Sequence, residues 1–152
     1  MQDLDWVCAR LQHLGPLDVY DLLALRSAVF VVEQTCIFQD ADGVDLQASH
    51  LLGRNPQGEL VALLRIVDPG VKYAEPSIGR VITAPAIRGT GTGRSLVHRG
   101  LAECARLWPG QGIRISAQAR LERFYREFGF ATQGEPYLED DIPHLEMLRP
   151  AA

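Results

Sequence analysis

The spacing of hydrophobic and polar positions changes period several times along this chain. Trp6 to Leu11 reads as a short strand closed by Gly15-Pro16. From Asp18 to Val32 the positions Val19, Leu22, Leu23, Val29 and Phe30, with the aliphatic stem of Arg26, fall at helical spacing, and Asp18 stands where a cap belongs. His50 to Arg54 and Glu59 to Val67 are apolar runs joined by Asn55-Pro56-Gln57-Gly58. Proline at the second and glycine at the fourth position predict a type I turn, and hence an antiparallel hairpin. Ile78 to Ala84 is a further strand. Between Gly91 and Trp108 the residues Val97, Leu101, Cys104 and Trp108 recur at helical spacing, and Pro109-Gly110 ends that helix. Ile113 to Ala117 follows it, so a right-handed crossover predicts that it lies parallel to Ile78–Ala84. Leu121, Phe124, Tyr125 and Phe128 share one helical face before a C-capping Gly129. Ala131–Leu138 and His144–Leu148 complete the strands. The pattern predicts an α/β fold, a mixed sheet with one βαβ unit at its centre.

Length and composition narrow the class. The 152 residues are expected to form a single domain, 1–152, and 47% hydrophobic against 22% charged residues excludes disorder. A net charge of -4 argues against nucleic acid as the main partner. Cys8, Cys36 and Cys104 are odd in number and widely spaced, which suggests neither a disulfide framework nor a metal site and fits a reducing cytoplasm. No apolar run has the length of a membrane span, and the acidic N-terminus is unlike a secretory signal. Asp40, Asp42 and Asp45 hint at calcium, but no glutamate closes a twelve-residue loop. That segment reads as a solvated loop beside the active cleft.

The chemistry concentrates between Ile78 and Leu107, where strand, glycine-rich run and helix follow one another. Backbone N–H groups and the positive end of a helix dipole then converge on one spot, which suits a phosphate. Glycine at 89, 91 and 93 permits close approach to the backbone. A nucleotide-hydrolysing P-loop requires lysine after its last glycine, where Arg94-Ser95 stands, and the dinucleotide fingerprint lacks its third glycine at Leu96. Arg-x-x-Gly-x-Gly does match, at Arg88, Gly91 and Gly93. This resembles the coenzyme A pyrophosphate loop of the GNAT acyltransferases. Phe124-Tyr125-x-x-Phe128-Gly129-Phe130 resembles the aromatic helix that follows their fifth strand. Leu25-Arg26-x-x-Val29-Phe30-x-x-Glu33-Gln34, Asp42-Gly43-x-Asp45, Gly79-Arg80-Val81 and Glu139-Asp140-Asp141-Ile142-Pro143-His144 resemble the ElaA-like branch of that family.

The resemblance implies the GNAT acyl-CoA N-acyltransferase fold, acetyl coenzyme A as co-substrate, no metal, and transfer to an amine of a small molecule or protein by direct attack in a ternary complex. It implies a pyrophosphate site at Arg88, Gly89, Thr90, Gly91, Thr92, Gly93, Arg94 and Ser95. The pantetheine arm is then expected near Val81, Ile82 and Thr83 and near Ser116 to Gln118, and Gln118 stands where many relatives carry asparagine. Tyr125 matches the tyrosine that protonates the departing thiolate, against its ordinary reading as a core residue. An ammonium acceptor must lose a proton. Glu33 and His144 are the candidates for that step, with His50, Glu139, Asp140 and Asp141 on the acceptor side; each also reads as a capping, surface or pairing residue. Two alternatives stay open: acyl-homoserine-lactone synthase-like chemistry, which shares an Arg-x-x-Val-Phe segment, and a coenzyme-binding sensor without catalysis. Monomer and homodimer are both compatible with the chain.

Overall fold

A computed structural model describes residues 3–151 of the chain. In order come β1 (Asp5–Arg10), α1 (Pro16–Arg26), β2 (Ala48–Arg54), β3 (Leu60–Val67), β4 (Ser77–Thr83), α2 (Thr92–Leu107), β5 (Ile113–Gln118), α3 (Glu122–Arg126), β6 (Ala131–Glu139) and β7 (Ile142–Arg149). Strand β3 is buried along nearly its whole length because both of its faces are covered. On one face, Leu64 meets α2 so closely that a Cβ at Gly100 would lie 2.7 Å from Leu64 Cδ2. Only glycine allows that approach. On the other, Leu63 joins Leu22 and Val29 of the α1 segment with Leu52 and Ile82 in a second apolar cluster. The larger cluster unites α2, through Leu96, Val97, Leu101 and Cys104, with the inward positions Ile113, Ile115 and Met147 of the second sheet. Burial of each such aliphatic side chain contributes about 1.5–3 kcal/mol.

The first helix begins earlier than its periodicity suggests. Gly15 is the N-cap and Pro16 occupies the first turn, where a missing N–H costs nothing. Asp18 is not the cap; its carboxylate is paired with Arg54 at 2.5 Å. Beyond Arg26 the coil widens over Ser27–Glu33, with bonds from Gln34 N–H to Val29 O and from Cys36 N–H to Val31 O. This wider turn carries Phe30, Glu33 and Gln34 to the wall of the central cavity.

The strands form two antiparallel sheets, ordered β1-β2-β3-β4 and β5-β7-β6. Strands β4 and β5 begin side by side, where Arg114 N–H donates to Pro76 O at 3.1 Å, yet no ladder joins them. The βαβ unit is therefore present in chain order as β4-α2-β5, but the expected single sheet is split at its centre. A bulge in β4 supplies the reason. Gly79 pairs with Arg65 and Ile82 with Leu63, leaving Arg80 and Val81 opposite Leu64 alone, and Arg80 has φ +49°. Such a bulge bends a strand and ends regular pairing.

The segment around Asp40, Asp42 and Asp45 is not a solvated loop. Asp45 is buried between Arg26 and Arg65, with Oδ1 at 2.7 Å and 3.1 Å from their Nη1 atoms. Asp40 pairs with Arg26 and Arg80, and Asp42 with Arg65. The carboxylates that suggested calcium neutralise three arginines instead.

Candidate active site

Where β4 and β5 part, a cavity of about 560 Å³ opens, lined by Ile78–Thr83 on one side and by Ile115–Gln118 on the other. Val81, Ile82 and Thr83 all line it. The bulge leaves Arg80 and Val81 without register partners on β3. Both residues line the cavity wall.

The glycine loop closes one end of this cavity. Gly91 is the N-cap of α2 at φ +87° and Gly89 has φ +81°, values that a side chain would strain. The first backbone donor used by α2 is Ser95 N–H, to Gly91 O at 3.3 Å. The N–H groups of Thr92, Gly93 and Arg94 precede it in the helix and are its orphan donors. Gly93 lines the cavity, and a Cβ there would stand 3.9 Å from Thr83 Cγ2. The threonines act on the loop itself: Thr90 Oγ1 donates to Ile87 O, and the Thr90 and Thr92 hydroxyls are 2.8 Å apart. Two expected arginine contacts turn out to be engaged elsewhere. Arg94 pairs with Glu127 at 3.0 Å and stacks over Phe124, outside the cavity. Arg88 reaches the cavity but holds both carboxylate oxygens of Glu33, at 2.8 Å and 2.9 Å.

Tyr125 is brought to the same cavity from α3. Its ring packs edge-on against Phe124 and Phe130 and is 6% exposed. Among the described residues its hydroxyl has no hydrogen-bond partner. Burial pushes its pKa well above the ordinary tyrosine value, so the group remains protonated at neutral pH. A buried hydroxyl that is not tied to the fold and opens onto a cavity is available as a donor. Gln118, from the end of β5, donates Nε2–H to Gln34 Oε1 at 3.2 Å and accepts from Arg120 Nε at 3.1 Å.

The opposite wall comes from the β6–β7 hairpin. Register places Gln118 opposite His144 and His144 opposite Tyr137, a row of three side chains across the second sheet. His144 Nδ1 lies 2.7 Å from Ile142 O. A carbonyl only accepts, so Nδ1 carries the proton and the neutral ring keeps its lone pair on Nε2. That Nε2 is 3.5 Å from Glu139 Oε2, and Glu139 Oε1 accepts from Ser116 Oγ. His144, Glu139 and Asp140 all line the cavity.

Two expected residues fall elsewhere. His50 is 1% exposed, outside the cavity, with Nε2 at 3.4 Å from Asp45 O and Nδ1 without a partner. Its burial beneath the arginine–aspartate cluster removes it from the acceptor side. Asp141 is the outer residue of the hairpin turn and does not line the cavity. Glu33 does line it, but the Arg88 guanidinium holds its carboxyl below the usual range, which makes it a weaker base than its position suggests. Sequence reasoning missed Tyr137 and Lys72. Strand alternation pairing 137 with 139 is the signal that points to Tyr137. Cys36 lines the cavity, and its thiol lies 3.5 Å from Asp140 O with no histidine beside it. Burial raises Cys8 to about 11 and Cys104 to about 12, so neither ionises near neutrality.

The chain is similar in sequence and fold to known proteins. A family model described as an acetyltransferase (GNAT) domain matches residues 33–149. A UPF0039 protein of Synechocystis sp. is 44% identical, covering 96% of this chain and 95% of its own length. ElaA of Escherichia coli is 42% identical, with 96% of each chain covered. The crystal structure of an acyl-CoA N-acyltransferase from Pseudomonas aeruginosa superposes with TM-score 0.92 at 44% identity, covering 97% of this chain and 99% of that one. That of Escherichia coli ElaA gives 0.90 at 41% identity, with the same coverage. The chain belongs to the GNAT family, in its ElaA-like branch, and is an acetyltransferase with the acyl-CoA N-acyltransferase fold.

Proposed function

We propose that the protein is an acetyl coenzyme A-dependent N-acetyltransferase that works by direct attack of an amine on the thioester in a ternary complex. One observation carries this reading: the unpartnered Tyr125 hydroxyl and the His144–Glu139 pair open onto one cavity beside the β4 bulge. The orphan N–H groups at Thr92, Gly93 and Arg94 suit the pyrophosphate, and the parted strands suit the pantetheine arm. A backbone donor at the bulge would stabilise charge on the thioester oxygen, worth about 2.7–4 kcal/mol in comparable acyl transfers.

The proton path follows from the side chains. The ammonium acceptor gives a proton to His144 Nε2, directly or through a water, while Glu139 stabilises the positive charge. The freed amine attacks, the carbon–sulfur bond breaks, the thiolate takes a proton from Tyr125, and the second proton lost by the attacking nitrogen returns to the Tyr125 oxygen through water. No cysteine need act as nucleophile. A cytoplasmic setting suits the three free thiols, and the net charge of -4 gives no support to nucleic acid as acceptor. The test is release of free thiol from acetyl coenzyme A across a panel of amines. Amine-dependent release supports the enzyme, whereas tight coenzyme binding with no release favours a coenzyme-binding module.

A further inference from the structure

Lys72 is the only lysine in the chain, and it lines the acceptor end of the cavity from the connection between β3 and β4. Among the described residues, each arginine that lines the cavity already has a partner. Arg65 and Arg80 belong to a cluster in which Arg26, Arg65 and Arg80 face Asp40, Asp42 and Asp45, three charges of each sign. Arg88 is closed by Glu33, and Arg120 gives its Nε–H to Gln118. The Lys72 ammonium has no ion pair or hydrogen bond among the described residues, and it lies 6.0 Å from the centre of the Tyr73 ring. Partial removal from water lowers its pKa, Glu139 raises it, and the Arg65 and Arg80 charges lower it again. Lys72, Glu139 and His144 line the same cavity.

Resting on the acetyl-transfer reading above, we infer that the acceptor is an amine bearing a carboxylate close to its amino group, as in an α-amino acid, with Lys72 taking the carboxylate while His144 and Glu139 take the ammonium. An uncompensated cation beside a carboxylate–imidazole pair matches a zwitterion at both ends. It also repels a purely cationic acceptor such as a polyamine, so the same residue selects for one class and against another. An arginine here would be expected to pair with Glu139, as the other cavity arginines pair with acids. The point charge of a lysine on a flexible stem leaves Glu139 free for the acceptor.

The experiment compares wild type with Lys72→Met and Lys72→Arg on L-amino acids, each set beside the amine left by removing its carboxylate. The wild type should prefer the amino acid, and Lys72→Met should lower kcat/KM for it by about 10–100-fold, the range of a lost charge-assisted hydrogen bond. The matched amine should be unaffected or improved, KM for acetyl coenzyme A unchanged, and Lys72→Arg intermediate. Equal preference in the wild type, or equal loss on both substrates in Lys72→Met, overturns the inference. Calorimetric titration of the same amino acids into the coenzyme complex separates the two levels of the account. Lys72-dependent binding without turnover keeps the acceptor class and sinks the transfer chemistry, whereas neither binding nor turnover sinks the acceptor class itself.

Discussion

Tyr125 and His50 are both buried ionisable groups with an unsatisfied polar atom, and their surroundings give them opposite uses. The Tyr125 hydroxyl opens onto the cavity and ties no neighbour, so Tyr125→Phe should leave the melting temperature and coenzyme affinity nearly unchanged. Turnover should fall by about 10²–10⁴-fold, the contribution of a general acid. A fall below tenfold with chemistry limiting the rate would return Tyr125 to the core. His50 is sealed from the cavity, and its burial lowers its pKa below the ordinary 6.5. The native state then binds fewer protons there than the unfolded chain, so stability is fully present above about 6.5 and declines as pH falls below it. Denaturant titrations of wild type and His50→Gln between about pH 7 and 5 should show a steeper loss in the wild type. Parallel curves would mean that His50 does not titrate in that window. Asp42 and Asp45 have depressed values, so their contribution is fully present above the ordinary 3.8 and is lost as pH falls from there through the lower folded values.

Glycine loop, bulge and hairpin are the elements that make the site, and they were not equally legible. The loop and α2 were, because the glycines and the apolar stripe are local signals. Gly93 stands at the cavity wall with room for a Cβ, so Gly93→Val should fold normally and weaken coenzyme binding at least about tenfold through steric exclusion. Unchanged affinity by calorimetry would remove the loop from the site. The bulge at Arg80 was not legible, since a non-glycine residue at φ +49° is fixed by pairing across β3 rather than by its own preference. The acidic hairpin was half legible. Asp140 and Asp141 occupy a turn with φ of +51° and +61°, the conformation of a two-residue hairpin turn, but only Asp140 reaches the cavity. Glu139→Gln with Asp140→Asn should raise KM for the amine acceptor several-fold and spare the coenzyme, while Asp141→Asn changes neither. Identical kinetics in all three proteins would make the acidic run a solvated turn.

Across the whole molecule the cavity depends on two sheets held apart at β4 and β5 and on a charged cluster that ties α1, β3 and β4 to the 40–47 segment. Burial of Arg26 was expected for its stem alone. Its partners lie 14 and 19 residues further on, a separation that no periodicity reveals. Arg26→Ala would leave Asp45 with Arg65 alone and Asp40 with Arg80 alone, and should cost about 3–5 kcal/mol in denaturant titrations. Arg94→Ala, whose pair with Glu127 is exposed, should cost about 0–1 kcal/mol. Equal losses would mean that the cluster is no more than a surface network. Direct transfer within the cavity is the central claim, and rapid mixing of the enzyme with acetyl coenzyme A, first alone and then with an amine acceptor, tests it most directly. The account predicts no thiol above background without the amine, and with it thiol and amide in equal amounts at a rate reduced in Tyr125→Phe. One equivalent of thiol released without any amine, leaving an acetylated cysteine, would contradict it.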